Sequence, residues 1–236
     1  MNRFHWAFVS VATIIFCVAV IKFPPISLNQ TASTQQSSSR RIMPDNRLVA
    51  AQEQNPDTIA WLTVPGTNID GPVQQASDNE YYLRRNALGQ DDYEGCLYAD
   101  YECNLSEAEK LSTNTVVYGH SFTALGQNQD TGFGELRYYL QEDFAEKYPD
   151  IFLSVSDQKL HFSIISVGIA DTTQDQVCIL ANPDSNQFQQ LVEKAKVRNR
   201  LKMDFSVETG DRLLTLSTCT DNFNQRLLIV AKLASE

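Results

Sequence analysis

The strongest constraint on this chain is an apolar run near its amino end that is followed by a long polar segment. Residues 4–21 are almost entirely apolar, with a few polar interruptions. As a helix with a rise of about 1.5 Å per residue they span roughly 27 Å, close to the thickness of a bilayer core. Residues 27–41 are SLNQTASTQQSSSRR, a Ser/Thr/Gln-rich composition typical of a flexible tether. The globular fold is therefore expected within residues 42–236.

Three interpretations of the apolar run compete, and an uncleaved signal-anchor fits it best. A cleaved signal peptide needs small residues before its cleavage site, and residues 22–25 (KFPP) provide none. A lipoprotein signal would need a small residue before Cys17, where this chain has the bulky Phe16. The run is therefore predicted to stay in the protein as a single membrane-spanning helix.

This interpretation divides the chain into four parts. Residues 1–3 form a cytoplasmic stub, residues 4–21 the transmembrane signal-anchor, residues 22–41 the tether and residues 42–236 an extracellular domain. Arg3 and the amino terminus favour a cytoplasmic start, although the lysine directly after the run weakens this charge signal. The expected location is the cell membrane, with the globular domain outside the cell.

The charge of the chain is unevenly distributed and excludes one large class of function. The net charge is −10, but residues 1–41 contain four basic residues and no acidic one. The remainder therefore carries the whole acidic excess. A domain this acidic repels phosphate, so general binding to nucleic acid is not expected. A hydrophobic content of 42% is sufficient for a packed core.

The globular part is predicted to be mainly β, with peripheral helices. A short leading helix is expected in 43–57 before Pro56, a helical face in 134–148, and a clear amphipathic helix over 185–199. Two short strands are expected around Pro65 and Gly66. Further strand patterns occur at 95–100, 114–120, 151–155, 159–170, 212–219 and 226–233. About eight short strands separated by turns and helices indicate a closed or nearly closed β-barrel.

One cysteine and one histidine each close an apolar strand. Cys219 ends LLTLSTC and His120 ends VVYGH, and reactive groups commonly lie where a strand meets a loop. Such a pair is the minimum for catalysis by a thiol nucleophile. The remaining cysteines show no Cys-x-x-Cys spacing, so no metal site is predicted. Cys96 and Cys103 are consistent either with a disulfide or with two buried thiols.

Arg226 opens the strand that follows Cys219 by seven residues. If the two strands form a hairpin, both residues lie at the same end of the sheet. A guanidinium there would be available to a developing oxyanion, but whether the two side chains share a face depends on register, which the pattern leaves open. A solvated arginine at a strand start is the alternative interpretation.

These residues resemble a known family, the sortases, which are cysteine transpeptidases of Gram-positive bacteria. The core of the resemblance is Thr-Leu-Ser-Thr-Cys at 215–219 followed by Arg226, together with Val-Tyr-Gly-His at 117–120. Trp-Leu-x-Val-Pro-Gly-Thr at 61–67 and Asn-x-Tyr-Tyr-Leu at 79–83 are similar to class B members. The resemblance covers about residues 43–235. One departure is Ser121, where many class B members have Asn after the histidine.

The resemblance implies a fold and a mechanism. The fold would be a sortase-like closed barrel of about eight strands, with an N-terminal helix and a long helix between strands six and seven. Cys219 would be the nucleophile, His120 its proton partner and Arg226 the ligand of the oxyanion. The remaining positions implied to contact substrate are Ser217, Thr218, Leu83 and Tyr82. No metal and no cofactor are implied.

The implied reaction joins two partners. Cleavage after Thr in a C-terminal sorting signal related to Asn-Pro-x-Thr-x would yield a thioacyl-enzyme, and an amine of the cell wall or its precursor would resolve it. The partners would be surface proteins that carry such a signal, the cell-wall amine and the lipid bilayer. The alternatives are a pilus-polymerising sortase that uses a subunit lysine as acceptor, a hydrolytic cysteine protease, and a tethered binding domain without catalysis.

Overall fold

The computed structural model of the protein describes residues 45–123, 130–156, 158–222 and 224–235. The predicted stub, anchor and tether at 1–3, 4–21 and 22–41 lie outside the described residues, so these assignments stay predictions. Within the part that is described, no helix is both long enough and apolar enough to cross a membrane.

Three α-helices and ten strands make up the regular structure of the described residues. In chain order these are α1 (Asn46–Gln54), β1 (Thr58–Thr63), β2 (Asp70–Gln74), β3 (Leu97–Ala99), β4 (Asn114–Tyr118), β5 (Ser121–Thr123), β6 (Asp130–Gly132), α2 (Glu142–Lys147), β7 (Asp150–Val155), β8 (Gln158–Asp171), α3 (Ser185–Arg198), β9 (Leu213–Cys219) and β10 (Gln225–Leu233). Short 3₁₀ helices occur at Tyr81–Arg84, Ala108–Lys110, Phe133–Leu140 and Gln176–Ile179.

Eight of the strands close into a barrel, which confirms the predicted fold class. Their order around the barrel is β1-β2-β3-β4-β9-β10-β8-β7, and β5 and β6 form a separate hairpin. The β2–β3 and β4–β9 pairs are parallel, and the other pairs are antiparallel. Counted among barrel strands, α3 lies between the sixth (β8) and the seventh (β9), as predicted. Closure leaves the barrel without an unpaired edge.

Apolar side chains fill the barrel and a second cluster attaches α3 to its outside. Along β1 buried and half-buried positions alternate, as expected for a strand with one face in a core. Leu214, Leu216 and Leu227 are among the interior residues contributed by the last two strands. On the outer face, the α3 residues Phe188, Leu191 and Val192 pack against Ile165, Leu213 and Val230. The helix therefore covers the first half of β9 and leaves its carboxyl end uncovered.

The helix ends follow local sequence signals. Asp45 caps α1 by accepting a hydrogen bond from the Arg47 backbone, and the helix stops at Asn55, directly before Pro56. Asp184 and Gln187 form a reciprocal capping box at the start of α3. Both predicted helices are confirmed.

The pattern over 134–148 predicted one helical face, and the structure shows two separate helices there. A 3₁₀ helix covers Phe133–Leu140, and α2 begins at Glu142. Gln141 between them has an extended backbone, which ends the first helix and precedes the first turn of the second. The short β5–β6 hairpin before them has no alternating pattern, and no strand was predicted there.

Candidate active site

The hairpin of β9 and β10 places Cys219 and Arg226 side by side. The two residues are direct partners in the antiparallel ladder, as are Ser217 and Leu228. Directly opposed residues in such a ladder point to the same face, with Cβ atoms about 4.5–5.5 Å apart. The register that the sequence pattern left open is therefore the one that brings a thiol and a guanidinium together at the end of the sheet.

His120 reaches the same place through the parallel pairing of β4 with β9. Tyr118, the last residue of β4, is level with Ser217, and His120 follows it by two residues as Cys219 follows Ser217. Beyond the last pair, the Gly119 N–H still donates to the Ser217 carbonyl at 3.4 Å. The sheet thus brings all three predicted catalytic residues to one end of β4, β9 and β10.

The backbone around His120 is tightly packed. A Cβ at Gly119 would lie 2.9 Å from both the Leu97 and the Phe133 side chains, so the position directly before the histidine has room only for glycine. On the other side, Gly132 has a φ of +56°, and a Cβ there would lie 2.6 Å from the His120 carbonyl. That carbonyl accepts a hydrogen bond from the Phe133 N–H at 2.7 Å. These contacts fix where the imidazole can lie.

The imidazole itself is held by the 3₁₀ helix at Tyr81–Arg84. Its Nε2 atom lies 2.9 Å from the Leu83 carbonyl oxygen and 3.0 Å from Arg84 Nη1. Leu83, predicted as a substrate contact, is half-buried and touches the histidine through its backbone. The Arg84 contact was not predicted, since the two residues are 36 positions apart and nothing in the sequence pairs them.

Tyr82, the second predicted contact on this segment, has its side chain in the protein interior. The side chain is 1% exposed, its hydroxyl donates to Asp57 Oδ2 at 2.7 Å and it accepts from Asn55 Nδ2 at 2.9 Å. Burial, with the adjacent Asp57 carboxylate, raises the pKa of its phenol. In this arrangement Tyr82 anchors the 3₁₀ helix that carries Leu83 and Arg84 and presents no surface to a ligand.

Ser217 and Thr218 differ in what their hydroxyls do. Thr218 Oγ1 donates to the Gly119 carbonyl at 2.7 Å and so ties β9 to the residue before His120. Ser217 is 2% exposed, and among the described residues its Oγ has no hydrogen-bond partner. A buried hydroxyl normally has a hydrogen-bond partner. The hydroxyl of Ser217, two residues before Cys219, is therefore an exception.

Two tyrosines to which the sequence assigned no role lie beside the strand end. Tyr98 on β3 is opposite Tyr118 on β4, and their ring centroids are 5.3 Å apart. Burial, with a smaller contribution from the neighbouring Cys219, raises the pKa of Tyr98 to about 12, whereas Arg226 opposes the shift. The Tyr118 hydroxyl donates to Asp100 Oδ2 at 2.8 Å. The apolar pattern around each tyrosine resembles that of any strand, so it gives no signal of this position.

Two cavities open beside the strand end. One of about 280 Å³ is lined by Cys219 together with Thr218, Thr220 and Asp221, and by residues of the 3₁₀ helix that follows β6. The other, of about 220 Å³, is lined by His120, Glu94 and Cys96 among others. A ligand can therefore approach the thiol and the imidazole from different sides.

No group of three His, Cys, Asp or Glu side chains that could hold a metal ion occurs in the described ranges. The expectation of a reaction without metal or cofactor stays a prediction. The site as described consists of a thiol, an imidazole and a guanidinium. These are the parts that acyl transfer through a thioester requires.

Comparisons with known proteins agree with this geometry. The sortase domain family matches residues 62–234. Sortase B of Listeria monocytogenes is 30% identical over 189 residues, which cover 78% of this chain and 73% of the relative. The solved Staphylococcus aureus sortase B-substrate complex superposes with a TM-score of 0.69 at 27% identity, covering 82% of this chain and 87% of that one. A sortase B complexed with triglycine gives a TM-score of 0.70 at 26% identity, covering 83% and 88%.

The matched region begins inside β1 and contains the seven other barrel strands and all of the strand ends described above. The thiol, imidazole and guanidinium at these strand ends occupy the motif positions on which the resemblance rested. This protein therefore belongs to the sortase family of cysteine transpeptidases and is a homologue of sortase B.

Proposed function

We propose that this sortase B homologue cleaves a sorting signal related to Asn-Pro-x-Thr-x after its threonine and transfers the new carboxyl end to a cell-wall amine. The observation that carries the proposal is the shared register of Cys219 with Arg226 and of β4 with β9, which brings His120 to the same sheet end. The S. aureus sortase B solved with its substrate and the sortase B solved with triglycine, which carries a free amino group, support the two substrate classes.

In the first half-reaction, the Cys219 thiolate attacks the carbonyl carbon of the threonine. A C–S bond forms, and the developing oxyanion lies near the Arg226 guanidinium, whose planar donors suit it. The C–N bond then breaks, and the leaving amine takes a proton from the imidazolium of His120. The products are a thioester on Cys219 and the released carboxyl-terminal fragment.

In the second half-reaction, an acceptor amine attacks the thioester carbon. The neutral imidazole of His120 receives the proton that the amine loses, and the C–S bond breaks to return the thiolate. The atoms balance without a redox partner, since one amide bond is exchanged for another. Because two cavities flank the strand end, acceptor and signal need not compete for one entrance.

Ser217 was predicted as a substrate contact, but its side chain is 2% exposed and, like that of Tyr82, presents no surface to a ligand. Its hydroxyl is buried on β9, has no hydrogen-bond partner among the described residues and belongs to the same strand face as Cys219. Thr218 supports the site, because its hydrogen bond to Gly119 positions the segment that carries His120.

The test is a transfer assay with the purified full chain. Peptides that vary each position around Asn-Pro-x-Thr are incubated with triglycine, with a peptidoglycan-derived amine or with a lysine-containing pilin-type peptide, and the products are identified by mass. We expect ligation of the segment ending in Thr to a wall-type amine, with loss of the fragment after Thr. Transfer only to the lysine peptide would indicate a pilus-type enzyme, and release of free acid alone would indicate a protease.

The apolar run at 4–21 supports a further part of the proposal, namely that the enzyme is anchored in the cell membrane with residues 42–236 outside. The test is to add protease to intact protoplasts of cells that express the full chain. Removal of the domain is expected, while a cytoplasmic control protein stays intact. Protection of the domain would contradict the proposed orientation.

A further inference from the structure

The turn between β1 and β2 carries a motif that the mechanism above does not use. Residues 64–67 (VPGT) belong to the segment that resembles class B sortases. The turn is held by its own hydrogen bonds, since the Val64 N–H donates to the Ile69 carbonyl at 2.8 Å and the Ile69 N–H donates to Thr67 Oγ1 at 3.1 Å. Asn68 lies between these contacts, so its backbone is fixed although the residue is exposed.

This turn holds a buried carboxylate. Glu135 is 5% exposed and belongs to the 3₁₀ helix Phe133–Leu140. Its Oε2 accepts the Asn68 N–H, and its Oε1 accepts from Asn68 Nδ2 at 2.7 Å. The buried Tyr139 of the same helix donates from its hydroxyl to the Pro65 carbonyl at 3.2 Å. Burial of a carboxylate is costly unless hydrogen bonds compensate it, and here the compensating donors join the helix to the turn.

The same 3₁₀ helix supports the backbone of His120. Its first residue, Phe133, donates from its N–H to the His120 carbonyl at 2.7 Å. The Phe133 ring is fully buried and lies against Gly119, where a Cβ would be 2.9 Å from it. Glu135 follows Phe133 by two residues. A displacement of the helix would therefore move the backbone that carries the imidazole.

We propose that Glu135 is a positioning residue for His120: its two hydrogen bonds to Asn68 set the position of the 3₁₀ helix, and the helix sets the position of the histidine. This inference rests on the proposed function, in which His120 exchanges protons with the leaving and the acceptor amine. Proton transfer requires hydrogen-bond reach, and a misplacement of about 1 Å can cost about 10²-fold in rate.

The helix also forms part of the wall of the cavity beside Cys219. The described residues that line this cavity include Phe133, Gly134, Arg137 and Leu140 but not Glu135. An effect of Glu135 must therefore pass through the helix. Because a changed wall would act on substrate binding and a misplaced histidine would act on the chemical steps, KM and kcat must be measured separately.

The experiment combines transfer kinetics with NMR of the histidine ring signals in the full chain. Glu135→Met keeps the length of the side chain and removes both acceptors. We expect kcat to fall about tenfold or more and KM to stay within about threefold, because the histidine is displaced and the thiol is not. At one fixed pH and without substrate, the ring signals of His120, assigned by their loss in His120→Gln, should move by more than a line width. The signals of His161, which contacts Asp150 elsewhere on the barrel, should stay in place.

Glu135→Gln is the conservative variant and should restore the wild-type behaviour. Its amide oxygen can accept the Asn68 N–H, and the Asn68 amide can turn so that its oxygen accepts from the new NH₂ group. We expect kcat within about threefold of the wild type, because both hydrogen bonds are kept and only the charge is lost. Asn68→Ala removes one of the two hydrogen bonds and should lower kcat a few-fold.

Ser166→Ala is the matched control for stability. Ser166 is 1% exposed, and its hydroxyl donates to the Ala195 carbonyl at 2.8 Å, which attaches α3 to β8 away from the strand end that carries Cys219. Its substitution also breaks a buried hydrogen bond and should lower the melting temperature. We expect it to leave kcat and the His120 signals unchanged, which separates a loss of stability from a loss of positioning.

Two results would overturn the proposal. One is a folded Glu135→Met with native kcat and unmoved His120 signals. The other is an equal loss in Glu135→Gln, which would show that the negative charge rather than the hydrogen bonds is needed. If Glu135→Met does not fold, Asn68→Ala decides, and native kcat with unmoved signals there would reject the proposal. Displaced His120 signals in a chain whose wild type transfers no peptide would uphold the role of Glu135 and reject the proposed function instead.

Discussion

Strand β4 runs past two thiols that lie in contrasting surroundings. Near its start, Cys103 packs against the strand, where its sulfur accepts the Val116 N–H at 3.3 Å and the residue is 6% exposed. Burial raises the pKa of Cys103 to about 12. At the far end, Cys219 is half-buried, lines a cavity and is the direct ladder partner of Arg226. Position along one strand therefore separates a packing thiol from the thiol that we propose as the nucleophile.

The other two described cysteines resemble Cys103 rather than Cys219. Burial raises the pKa of Cys96 to about 12 and that of Cys178 to about 11, with nearby carboxylates adding to both effects. Since the thiolate is the reactive form, each of these thiols stays protonated and unreactive at neutral pH. The contrast implies that the surroundings of a cysteine, rather than its presence, determine the chemistry.

The largest effect is expected from removal of the nucleophile. Cys219→Ala should abolish peptide cleavage and transfer, with a loss of at least about 10³-fold, because no other group of the site can form the thioester. His120→Ala should be nearly as damaging. The measurement is turnover with a matched sorting peptide and amine, together with the mass of the protein after incubation with peptide alone.

Cys103→Ala tests the other side of the comparison. It should keep turnover within about twofold and cost about 1 kcal/mol of unfolding free energy, because it leaves a small void beside β4. A substrate-linked adduct in Cys219→Ala, or loss of turnover in a folded Cys103→Ala, would show that the comparison assigns the two thiols wrongly.

Arg226 is expected to give the next largest effect. Removing an oxyanion donor costs about 10²–10³ in turnover, so Arg226→Ala should lose that much. Arg226→Lys should recover only part, because an ammonium lacks the planar fork. Melting temperatures should barely change.

The matched control is Arg212, which directly precedes β9 at the end far from Cys219. Arg212→Ala should keep its turnover. Near-native turnover in Arg226→Lys would show that charge alone suffices, and near-native turnover in Arg226→Ala would remove this residue from the site.

Selective alkylation sharpens the comparison without mutation. At pH 8 iodoacetamide should label Cys219 first, while Cys96, Cys103 and Cys178 should react at least about 10²-fold more slowly, because their raised pKa values leave few thiolates. Above pH 11 the difference should shrink as the buried thiols ionise. Peptide mapping by mass at each pH measures this order, and early labelling of Cys103 would contradict it.

The smallest effects are expected at the two hydroxyls before the nucleophile. Ser217→Ala should leave both KM and the melting temperature nearly unchanged, because the side chain is buried and its hydroxyl has no described partner to lose. Thr218→Val breaks a hydrogen bond that supports His120 and should cost about 0.5–1.5 kcal/mol of stability. If Ser217→Ala proves the more destabilising of the two, their assigned roles are reversed.

Local sequence signals predicted the helices and strands of the fold and the strand ends that carry the candidate site. The capping box of Asp184, the alternation of β1 and the strand-end positions of Cys219 and His120 are each visible within about ten residues of sequence. The division of 133–147 into two helices was not predicted, because the spacing of apolar residues does not distinguish one helix from two that meet at Gln141.

The features that could not be predicted are mostly contacts between residues far apart in the sequence. Strand period 2 permits either register between β9 and β10, and the turn decides between them. The contact of His120 with Leu83 and Arg84 joins segments about 36 residues apart and has no local signature. For Tyr82, similarity to a motif indicates a position in the chain but not the direction of its side chain, which here is inward.

The parallel pairing of β4 with β9 has a consequence for when this enzyme acquires its activity. Its hydrogen bond from Thr218 to Gly119 spans 99 residues of chain, so the entropy of closing that loop must be overcome before nucleophile and proton partner meet. Contacts between residues so far apart in the sequence slow folding. Before the barrel closes, Cys219 lies far from its partners and is an ordinary cysteine. We therefore expect catalytic activity to begin only when folding is complete.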